Sequence, residues 1–61
     1  MTTLSIDEIM TRELADRTHD AAQNKGSAKL YTKAAELYEE LEDWRQAKVC
    51  RDAAARLELA K

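Results

Sequence analysis

The chain has 61 residues, with 12 acids against 10 bases for a net charge of −2, one cysteine, one histidine, one glycine and no proline or phenylalanine. A single domain of this length hides only ~60% of the surface its unfolded form exposes, so its core is marginal without a staple or a partner. One Cys and one His exclude an internal disulfide or a structural zinc site within one chain, and the near-balanced charge gives no general pull toward nucleic acid or anionic membrane.

The longest apolar run, Ala53-Ala54-Ala55, is far too short to span a bilayer. Asp7 and Glu8 interrupt Leu4–Met10, which argues against a secretory signal. With one unpaired thiol, the expectation is a cytoplasmic protein. Ala, Leu, Glu, Lys and Arg dominate, and these residues lose least on entering a helix. The predicted fold is all-α: one domain over 1–61, with an antiparallel helical hairpin (about 28–41 and 44–60) packed on an N-terminal helix (about 6–24).

Ser5 and Glu8 form a capping box for the first helix, and Leu4 and Ile9 stand at the spacing of a hydrophobic staple. Ile6, Met10, Leu14 and Ala21 fall on one helical face, the candidate core face. Glu8–Arg12 and Glu13–Arg17 are favourable i,i+4 pairs. Arg17 lies near the middle of the apolar face, so it must either snorkel outward or meet a carboxylate across an interface. His19 is expected to point away from that face, in a solvated patch with Asp16 and Asp20.

Asn24-Lys25-Gly26-Ser27 is a turn signal: Gly26 suits the left-handed position after a helix, and Ser27 suits the cap of the next one. The second helix has a wide apolar arc of Leu30, Tyr31, Ala34, Ala35, Leu37, Tyr38 and Leu41. Its breadth predicts two packing neighbours. Asp43 with Gln46 makes a second box-like cap, opening a helix from Trp44 with the stripe Ala47, Cys50, Ala54 and Leu57, flanked by Ala53 and Ala60. The first helix is net acidic and the third net basic, which favours their lying side by side.

Two family resemblances follow from these segments. Tyr31, Ala34, Ala35 and Tyr38, then Asp43, Trp44, Ala47, Ala54 and Leu57, resemble one tetratricopeptide repeat. Glu42 stands where that repeat usually has its turn glycine, and Arg51 where it has an aromatic. The resemblance covers Lys29 to Leu57 and implies a helical hairpin whose groove grips a peptide or helix. Ala21-Ala22, Gly26, Tyr31 and Ala34-Ala35-Glu36-Leu37-Tyr38, with Trp44 and Cys50 downstream, are similar to the small enterobacterial negative regulators of AraC-type activators. That similarity implies direct binding to a transcription factor.

No nucleophile–base set, paired-carboxylate cleft or Gly-rich phosphate loop is present, so neither a catalytic residue nor a cofactor or metal site is expected. Cys50 on the core stripe behaves as a small hydrophobe. The expected function is that of a bacterial or phage regulatory adaptor that binds another protein, a transcription factor being one candidate, and that also pairs with itself. The candidate contact residues are Tyr31, Tyr38, Trp44, Arg17 and Leu59, the last because it falls on the otherwise polar side of its helix. Two alternatives are a DNA-binding regulator using Arg45, Lys48 and Arg56, and a self-assembling structural subunit. Glu39, Glu40, Glu42 and Asp43 would oppose phosphate at that turn, making nucleic acid the weaker reading.

Overall fold

The computed structural model describes residues 6–60, so the predicted cap at Ser5 and staple at Leu4 lie outside the described residues. The described residues form three helices: α1 (Ile6–Lys25), α2 (Ala28–Glu40) and α3 (Trp44–Leu59). Successive helices run antiparallel, and α2 packs against both neighbours while α1 and α3 scarcely touch. The expectation that acidic α1 and basic α3 lie side by side is therefore corrected. The broad arc of α2 takes one helix on each flank, and burial of that arc outweighs surface charge pairs worth only ~0–1 kcal/mol each. The result is a flat slab with Cα extents of 45 × 18 × 11 Å.

Both turns are built from the residues that announced them. Gly26 has φ of 62°, and the Ser27 N–H reaches back to the Ala22 carbonyl at 3.2 Å. The Ser27 hydroxyl then accepts from the Leu30 N–H at 3.3 Å, capping α2. At the second turn, the Asp43 N–H bonds the Tyr38 carbonyl at 2.9 Å and the Glu42 N–H bonds that of Glu39 at 3.0 Å. These paired bonds are a Schellman ending, which requires a left-handed residue. Glu42 fills that place with φ of 59°.

Asp43 has two tasks at once. One carboxylate oxygen caps α3 by accepting from the Gln46 N–H at 3.4 Å, and the other meets Arg12 Nη1 of α1 at 3.3 Å. The same group thus starts α3 and ties α1 to the hairpin turn. Across the hairpin, Arg51 grips Glu39 in a two-pronged pair, Nε to Oε2 at 2.7 Å and Nη2 to Oε1 at 2.8 Å. That contact holds the Glu39 carboxyl below its ordinary range.

The core is small and made chiefly of small residues: Ala15, Ala34, Ala35, Leu37, Tyr38, Ala47 and Cys50, with Tyr31 and Leu41 packed against it. The α2 arc is buried or half-buried as its breadth predicted, and Ala47, Cys50 and Ala54 are buried on α3. On α1 the expectation fails. Its core face is Thr11, Ala15, Thr18 and Ala22, whereas Ile6, Met10 and Leu14 are 74%, 62% and 51% exposed. At ~100° per residue, that apolar stripe is centred about a third of a turn around the helix from the alanines. Small side chains let α1 approach α2 closely, a fit that three branched or long side chains would prevent.

Glu42→Gly should raise stability by about 1 kcal/mol, because it relieves a left-handed non-glycine residue at no cost in contacts. Asp43→Ala should cost about 1–2 kcal/mol through cap and ion pair together, and Asp43→Asn, which retains a capping oxygen, markedly less. Urea denaturation of the three variants measures all of this; a destabilised Glu42→Gly would contradict the turn geometry.

Candidate protein-binding surfaces

Two surfaces stand out. The first is a furrow between α1 and α3 with α2 as its floor, lined by His19, Gln23, Tyr31, Val49, Ala53 and Arg56, with Asp52 at its edge. Tyr31 is half-buried there. The His19 ring packs edge-on to Tyr31 with centroids 5.8 Å apart at 62°, and to Tyr38 at 6.2 Å and 89°. His19 was expected in a solvated patch, and this is corrected: it is half-buried and wedged between two tyrosines. Held from the side in this way, the Tyr31 ring presents a fixed amphipathic surface with little rotamer freedom left to lose. Val49, 48% exposed, forms the apolar part of the opposite wall.

The second surface is the outer stripe of α1. Ile6, Met10 and Leu14 form its centre, with Ile9 on its flank at 53% exposure. Arg17 continues the stripe and meets Glu13 Oε1 at 2.6 Å, both side chains being largely exposed. Arg17 therefore snorkels toward an acid of its own helix, as the predicted i,i+4 pair allows. Shallow depressions lie on both sides of this pair, one reaching Ile9, Arg12 and Leu41, the other Met10 and Leu14.

The five candidate contact residues are not brought together. Tyr31 lies in the furrow and Arg17 on the α1 stripe. Trp44, 63% exposed, and Leu59, 87% exposed, stand at opposite ends of α3, about 22 Å apart along its axis. Tyr38 is 2% exposed and belongs to the core, so its place as a contact residue is corrected. Its hydroxyl donates to Asp16 Oδ1, anchoring α1 to α2. His19 and Val49 were not among the candidates. The helical spacing of Thr11, Ala15, Thr18 and Ala22 would have turned His19 inward, since it follows Ala15 by one turn.

The chemistry of the described residues is quiet. Burial pushes the Cys50 thiol up, which suppresses the thiolate that nucleophilic or redox work needs. Among the described residues no cluster of His, Cys, Asp and Glu could hold a metal ion, and no helix is long and apolar enough to cross a membrane. No family model, curated protein or solved structure matches the chain.

Burial, reinforced by the neighbouring Asp16 carboxylate, raises the Tyr38 hydroxyl well above its ordinary value of 10.0. A group with a raised value in the fold stabilises fully below its unfolded value and loses that contribution as pH rises from there through its folded value. Stability should therefore fall above about pH 10, and Tyr38→Phe should soften that fall while costing about 1–2 kcal/mol at neutral pH. Chemical denaturation across alkaline pH reads both effects; equal alkaline losses in the two proteins would contradict the assignment.

Proposed function

We propose that this protein is a small binding adaptor which grips a helix or extended segment of a larger protein in the furrow between α1 and α3. The single observation that carries this reading is Tyr31, an aromatic fixed by His19 at the floor of an open groove, with Val49 and Ala53 on one wall. A pre-oriented tyrosine in a partly desolvated groove is the kind of residue that dominates binding energy at interfaces. The rim supplies opposite charges at Asp52 and Arg56 and an amide at Gln23, groups suited to setting the register of a bound segment.

The resemblance to one tetratricopeptide hairpin and to small negative regulators supports the same mode, in which a short helical protein occupies a partner and restrains it. A transcription factor is the partner class that the second resemblance favours. The absence of a reactive group in the furrow also favours binding over turnover: its titratable side chains are one His, one Asp, one Arg and one Tyr, and they form no nucleophile–base pair.

Affinity capture on the intact chain, repeated with Val49→Asp, tests the reading. Val49 is half exposed, so a charge there disturbs the furrow with little effect on the fold. The expected result is a partner lost with Val49→Asp and retained with Leu59→Asp, at the exposed far end of α3. Equal recovery by all three proteins would overturn the furrow as the binding site. The identity of a furrow-dependent partner then tests the transcription-factor expectation.

A further inference from the structure

The furrow leaves the exposed apolar stripe of α1 unused. Ile6, Met10 and Leu14 project from α1 about a third of a turn away from its alanine face, and none of the described helices covers them. A core built largely of alanine supplies little burial to balance that exposure. The charges around the stripe then decide what could sit on it. A parallel second α1 would set Arg17 against Arg17 and Glu13 against Glu13. An antiparallel one relieves this, and a single register satisfies the apolar and charged positions together. Met10 opposite Leu14 and Asp7 opposite Arg17 are both centred on residue 12, so the alignment that interleaves the apolar side chains also brings each Arg17 to an acid of the other helix.

From this self-complementarity we propose that the outer stripe of α1 is a homodimer seam. Two copies pair α1 against α1 antiparallel about a two-fold axis level with Arg12, with Met10 and Leu14 of each copy interleaved and Asp7–Arg17 pairs closing both ends. A two-fold axis demands this kind of surface, in which residue i meets j and j meets i. A single helix-on-helix seam lies at the small end of stable interfaces, below about 1,200 Å² in total, so the dimer dissociates on dilution rather than persisting as an obligate unit. The seam lies on the side of α1 opposite His19 and Gln23, which line the furrow between α1 and α3. Each copy thus keeps its furrow open, and the dimer presents two of them. Bivalent display would strengthen binding to a symmetric partner without any new contact.

Sedimentation equilibrium of the full chain over a range of micromolar concentrations tests the seam, whether or not the furrow binds anything. The wild-type protein should pass from 6.9 kDa toward twice that mass as concentration rises. Leu14→Glu should leave a monomer. Because loss of the dimer could also cost folding, a charge-swap series that removes no apolar surface accompanies it. Asp7→Arg alone and Arg17→Asp alone should each weaken association about tenfold, and the double exchange should restore it to within about threefold. A protein that remains monomeric throughout overturns the proposal and leaves the stripe to a different protein. A dimer that survives Leu14→Glu, or one that the double exchange fails to rescue, overturns the antiparallel seam. Val49→Asp should leave the mass unchanged, which separates failure of the seam from failure of the furrow.

Discussion

The structure depends on how closely α1 can approach α2. Alanines at positions 15 and 22, with half-buried threonines at 11 and 18, give α1 a thin face, and the backbone of α2 comes near because of it. That approach brings Asp16 to the Tyr38 hydroxyl and His19 to the edges of both tyrosines. It also has an unavoidable converse. A helix that packs by its small residues must turn its large apolar ones outward, and on α1 these are Ile6, Met10 and Leu14.

From this follows a division of labour between faces. The inner side of the slab, where α1 and α3 flank α2 without meeting, forms an open furrow rather than a closed three-helix core. A third interface between α1 and α3 would have buried Tyr31 and Val49 and removed the groove. The links between elements that remain are polar: Arg12 to Asp43, Tyr38 to Asp16 and Glu39 to Arg51. Such links set orientation more than they stabilise, since the charged pairs among them remain partly open to solvent. The stability of the chain rests instead on the flanks of α2, where Leu37, Tyr38 and Cys50 are the bulkiest buried groups.

Much of this architecture was legible in the sequence because turns and caps are local chemistry. Gly26 turns the chain at its own backbone, and Ser27 and Asp43 each cap the N–H three residues on, so their types alone place the breaks between helices. The breadth of the α2 apolar arc likewise predicts two neighbours. The orientation of α1 was not legible in the same way. Periodicity finds a stripe of large apolar residues at 6, 10 and 14, but it does not say whether the stripe meets its own chain. Burial by size favours that stripe for the core, and close approach through alanine and threonine prevailed. Glu42 shows the same limit: its side chain disfavours a left-handed backbone, and only the paired Schellman bonds require one. For the candidate site, Tyr31 was identified from the hairpin pattern, whereas His19 became recognisable only once the inward face of α1 was known.

The claim on which the account rests is that α1 docks by its alanine face. Proton–proton contacts in the NMR spectrum of the intact protein test it most directly. His19 ring protons should show contacts to the rings of both Tyr31 and Tyr38, with the Leu14 methyls and Met10 methyl silent toward either tyrosine. Contacts from Leu14 or Met10 to the Tyr38 ring, with none from His19, would mean that α1 is turned the other way. The furrow and the outward stripe would then both be lost.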